Sequence, residues 1–103
     1  MRKEWSPEQR AGIYAKYVGW INVEEENWET FAWEALIIRS SLQEQWNELT
    51  PAQQLQVEQA DEVLSQCVRQ LQEILPSYGE HPRSEWWWFL HEGPQVREAA
   101  GPD

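Results

Sequence analysis

Two histidines, one cysteine, one isolated arginine and a dense set of tryptophans are the side chains with chemistry to offer in this chain. His81 and His91 flank a run of aromatics, with Glu85 and Glu92 beside them. Imidazoles and carboxylates are metal-ligand types. However, this spacing matches no His-x-x-x-His helical arrangement, and both histidines fall among loop-forming residues. No metal or other cofactor is expected. Cys67 falls on the apolar stripe of a helical pattern, where a thiol acts as a small hydrophobe rather than a nucleophile. Gly12 and Gly19 lack the surrounding pattern of a phosphate-binding loop, and no serine sits in a nucleophile elbow. Carboxylates abound, but nothing sets a pair apart for acid–base work. Nothing in the chain asks for an enzyme.

The tryptophans carry the contact chemistry. There are eight in 103 residues: Trp5, Trp20, Trp28, Trp33, Trp46, Trp86, Trp87 and Trp88. Each brings a large apolar face and one N–H in need of a partner. A chain this short buries a modest share of its surface, so surplus indole is expected to face a protein partner, a ligand or a second copy. The prime candidate is Trp86-Trp87-Trp88-Phe89-Leu90. Consecutive side chains cannot all point one way on a helix or strand. At least one ring then stays exposed unless loops fold over it; the structural alternative is a flap anchored on the core. Trp33 and Ile37, with Leu36 at their flank, form a second apolar patch that points away from the main stripe of their helix. The candidate partner-binding residues are therefore Trp86, Trp87, Trp88, Phe89, Trp33 and Ile37. Arg39 lies at the border of that main stripe and is expected to stack on Trp46 or pair with glutamates.

Charge narrows the partners. The net charge is −10, and it is unevenly placed: residues 20–66 hold ten carboxylates against Arg39 alone. Such a field repels phosphate backbones and anionic membrane surfaces, so neither direct nucleic-acid binding nor membrane binding is expected. A basic protein is the natural complement. No apolar stretch approaches the ~20 residues that cross a bilayer. The first residues carry two cations but no apolar run of a signal peptide. A single cysteine permits no internal disulfide, which fits a reducing cytoplasm.

The elements that must position these groups are helices. Ser6-Pro7-Glu8-Gln9 and Thr50-Pro51-Ala52-Gln53 are both capping boxes with proline at the first helical position. Asn22 is read as a weaker cap, with Glu24–Glu26 in the first turn of the helix that follows. Trp28, Phe31, Ala35, Ile38, Leu42, Trp46 and Leu49 recur every three or four residues and predict a helix ending before Pro51. Val57, Ala60, Leu64, Cys67, Val68, Leu71, Ile74 and Leu75 predict another, closed by Pro76. These two read as a long antiparallel hairpin whose main stripes bury against each other, with Phe31 and Leu64 in the core. A shorter first helix packs across them, its glycines read either as allowing close backbone approach of a neighbour or as fraying or kinking the helix. Prolines and glycines punctuate the chain after Pro76. The fold class is all-α: a small three-helix bundle with an irregular Trp-rich C-terminal segment. One domain spans 1–92, and residues 93–103 read as a flexible tail.

Three functions fit this reading. The first is a cytoplasmic, non-enzymatic adaptor, regulator or inhibitor that binds a protein partner, steered by its acidic surface. The second is a small-ligand-binding module with a tryptophan-lined pocket. The third is a homodimeric structural protein, associating through Trp33, Leu36 and Ile37 or the tryptophan run.

Overall fold

The computed structural model describes residues 6–93 and 95–99. Helix α1 (Pro7–Asn22) begins where its caps dictate. The Ser6 hydroxyl accepts from the Gln9 backbone N–H, and the Gln9 side chain accepts from that of Ser6. Helix α2 spans Trp28–Glu44. Helix α3 (Pro51–Ser65) repeats the reciprocal cap with Thr50 and Gln53. Two single turns follow, α4 (Val68–Leu71) and α5 (Val96–Ala99), together with 3₁₀ segments at Trp46–Glu48, Leu75–Tyr78 and Trp86–Glu92. The fold is an all-α small helical bundle, and no described residue lies in a strand.

The packing order differs from the expected hairpin. Helix α1, at 16 residues, matches α2 and α3 in length, and it is the element that packs closely against both. Its buried face is Ala11, Tyr14, Val18 and Ile21. Alanines at 11, 32, 35 and 60 keep the contacting surfaces shallow, so that backbones approach. Helices α2 and α3 do not pack closely on each other; they meet through the side chains of Arg39 and Asp61. Gly12 and Gly19 are not used for close approach, because a Cβ on either would meet nothing within 4 Å.

Three boundaries also move. Asn22 ends α1 rather than capping α2, and Glu24–Glu26 lie in the connection. That reversal needs left-handed backbone at Glu24 (φ 54°) and Asn27 (φ 65°), a region asparagine tolerates well. Helix α2 stops at Glu44 and tightens into the Trp46–Glu48 turn, where the Gln54 side chain donates to the Trp46 carbonyl. Helix α3 stops at Ser65 instead of running on to Leu75. There Ser65 Oγ donates to the Asp61 carbonyl and Cys67 Sγ lies against that of Val63, and such back-bonding bends helices. Leu71 and Leu75 stay buried, so the stripe reports burial rather than one unbroken helix. Where a tail was expected, Val96–Ala99 is helical and Val96 is buried. Pro94 and residues 1–5 and 100–103 lie outside the described residues.

The phase of α2 is rotated as well. Its buried positions are Ala32, Ala35, Leu36, Ile38, Arg39 and Leu42. Phe31 falls outside the core, whereas Leu64 is fully enclosed. Leu64→Ala should therefore cost ~2–5 kcal/mol of unfolding free energy in urea titration, and Phe31→Ala well under the ~3–5 kcal/mol of a core phenylalanine.

Candidate interaction surface

A buried ion pair organises everything around the candidate residues. Arg39 and Asp61 are 4% and 2% exposed. The guanidinium grips the carboxylate with two parallel bonds, Nε to Oδ1 at 2.9 Å and Nη2 to Oδ2 at 3.0 Å. The Tyr14 hydroxyl also donates to Asp61 Oδ1, and Arg39 Nη1 donates to Gln43 at 3.1 Å. Indoles close the site: the Arg39 guanidinium carbon lies 4.4 Å from the ring centre of Trp87, 5.5 Å from Trp46 and 5.9 Å from Trp86. The expected stacking on Trp46 is present. The partner carboxylate is an aspartate of α3 rather than a glutamate.

The next residue of α2 fixes the rest of the tryptophan run. Ser40 Oγ accepts from the indole N–H of Trp87 at 2.9 Å and from that of Trp88 at 3.1 Å. It donates in turn to Glu85 at 3.0 Å, which also accepts from Trp88. His81 lies flat on Trp88 at 3.7 Å and 3°. Arg97 crosses the Trp86 ring at 5.2 Å while pairing with Glu62. All three consecutive indoles are thereby buried. This corrects the sequence-based placement of an exposed contact site there. The 3₁₀ segment kinks at Phe89 (φ −120°), and the loop before it folds over the rings that a regular helix or strand would have left outside. Phe89 is half-buried beneath Arg83 at 4.2 Å, and Ile37 is half-buried against the core. Of the six candidates, Trp33 alone is exposed, at 37%, with its edge against Tyr78 and Trp88.

Sequence reasoning missed a second aromatic group, on the opposite flank of α2. Tyr17, Trp20 and Phe31 form a contiguous cluster between α1 and α2, each of them partly exposed. Tyr17 packs against the core, and Trp20 and Phe31 pack on Tyr17 and on each other. Beside them Val23 is 65% exposed, at the head of the acidic connection. The Glu25 backbone N–H donates to the Trp20 carbonyl at 2.9 Å, which folds Glu24–Glu26 back against this end of α1. The signal was present in the i, i+3 spacing of Tyr17 and Trp20. Phe31 was hidden by its assignment to the core stripe.

Other chemistry is sparse. Cys67 is buried, and burial pushes its thiol up to about 11. Among the described residues, no three His, Cys, Asp or Glu side chains converge as a metal site. A crevice of about 430 Å³ lies beside His81, Trp88, Phe89 and His91. A groove of about 340 Å³ runs between α1 and α3 along Ala15, Gly19, Gln56 and Gln59. No described helix is long and apolar enough to cross a membrane. No protein-family model matches the chain, and no curated protein or solved structure is significantly similar to it.

Arg39→Ala leaves Asp61 buried without its cation and should cost ~3–5 kcal/mol, whereas the double change Arg39→Met with Asp61→Leu should recover most of that loss in denaturant titration. Burial, reinforced by the Asp61 carboxylate, holds the Tyr14 hydroxyl well above its usual value of 10. A raised folded value means that the folded state keeps a proton which the unfolded chain has already lost. The stabilisation is complete below the unfolded pKa and fades as pH rises towards the folded one. The thermal midpoint should hold to about pH 9 and then fall, less steeply in Tyr14→Phe and in Cys67→Ala.

Proposed function

We propose that this protein is a non-enzymatic adaptor, regulator or inhibitor that docks a protein partner on the Tyr17–Trp20–Phe31 face. The observation that carries the reading is the Trp20–Phe31 pair, with ring centres 4.5 Å apart and each ring partly exposed. Aromatic surface left partly open to solvent gains when a partner covers it, and tryptophan is enriched at the anchors of protein interfaces. Exposed Val23 extends the apolar area, and the acidic connection borders it. Carboxylates at the rim steer a basic partner into place without entering the apolar centre. A cytoplasmic setting belongs to the same proposal, supported by a single, buried, reduced cysteine.

The test is affinity capture from native cell extract with the full chain. Wild type and Leu55→Ala, the latter altering an exposed residue elsewhere, should retain the same captured protein. The double variant Trp20→Ala with Phe31→Ala should lose it while still unfolding in one cooperative thermal transition. The association rate with that protein should fall by at least about tenfold from low to high salt. Unchanged capture by the double variant would return the cluster to a purely structural role.

A further inference from the structure

We propose that the Tyr17–Trp20–Phe31 face is a platform for guanidinium groups, taking arginine side chains from a basic segment of the protein partner, with Lys16 standing in for one of them in the free protein. The inference rests on the docking role proposed above and adds the chemistry of the occupant. The three ring centres lie 5.3, 5.0 and 4.5 Å from one another. Rings that close are in mutual contact and leave no room for a cation among them. An enclosing cage of the kind that holds a quaternary ammonium is therefore excluded, and a cation has to bind on the outer faces. Lys16 already does so, its Nζ 5.2 Å from the Trp20 ring centre. A flat outer face suits a planar guanidinium better than a compact, strongly hydrated ammonium.

The carboxylates supply the second half of the recognition. A guanidinium stacked on a ring keeps its edge N–H groups free for a carboxylate beside it. Glu25 and Glu26 are exposed in the connection that follows α1, and neither pairs with a cation among the described residues. Glu24 is already held by Arg69 at 3.2 Å. The bond from the Glu25 N–H to the Trp20 carbonyl ties this acidic turn to the backbone of the residue that carries the ring. Aromatic faces and unpaired carboxylates in one place complement arginine on both of its binding modes. A purely apolar occupant would use only the rings, and a phosphate-bearing one would be repelled.

The experiment titrates the full chain, isotope-labelled at its indoles, with two synthetic helical peptides of equal length and charge, one carrying arginines and the other lysines. The arginine peptide should bind more tightly, by no more than the roughly two- to fivefold that a whole exposed cation–ring contact is worth, and should shift the Trp20 indole resonance first. Trp20→Leu should reduce its affinity to that of the lysine peptide. Lys16→Met should raise it by more than Arg83→Gln, which removes the same charge away from the platform. Equal affinity for the two peptides would overturn the guanidinium inference while leaving the docking role to the capture experiment. So would shifts confined to other indoles, or equal effects of Lys16→Met and Arg83→Gln. If neither peptide binds, the inference fails as well.

Discussion

The structure hangs on a guanidinium and a carboxylate that meet out of reach of water. Neither Arg39 nor Asp61 has any tolerable alternative, because each charge is almost fully buried and each would be left uncompensated without the other. A buried ion pair adds little net stability, since desolvation offsets most of the attraction. What it imposes is geometry. The two parallel bonds fix α2 relative to α3, the Tyr14 hydroxyl ties α1 to the same carboxylate, and Trp87 caps the guanidinium. One polar contact thus sets the register of three helices and the seat of the C-terminal segment. Where alanines make the facing surfaces shallow, such a device fixes the alignment, because small apolar side chains slide over one another more readily than interlocking large ones.

The same pair accounts for what could and could not be read from the chain. The starts of α1 and α3 were legible because a capping box is local: Ser6 with Gln9 and Thr50 with Gln53 satisfy backbone donors three residues away. The all-α class followed from the spacing of apolar residues. The phase of α2 did not, because Arg39 sits in the middle of the buried face and a polar residue reads as a border. With Arg39 set aside, Phe31 took the place in the core that belongs to Ala32 and Leu36. The end of α3 was illegible for a related reason: Ser65 and Cys67 redirect the backbone through their own side chains while the buried stripe continues through Leu71 and Leu75.

The fate of the tryptophans follows from the same centre. Trp86 and Trp87 are drawn inward by the guanidinium, and Trp87 and Trp88 share the Ser40 hydroxyl, so three consecutive rings find a place that no regular pattern on a strand or helix provides. Once those rings line the interior, the surplus is displaced to the other flank of α2. There Trp20 and Phe31 cover each other and stay partly exposed. The interior is organised by a paired charge beneath indoles. The outer face offers indole beside carboxylates, with Lys16 over the Trp20 ring, an arrangement suited to receiving the cation of another chain.

Hydrogen exchange at the indole N–H groups tests this division most directly. If Trp87 and Trp88 donate to Ser40 beneath the Arg39–Asp61 pair, their indole protons should exchange only on global unfolding, while that of Trp20 exchanges orders of magnitude faster. Trp87 and Trp88 exchanging as fast as Trp20 would contradict the account.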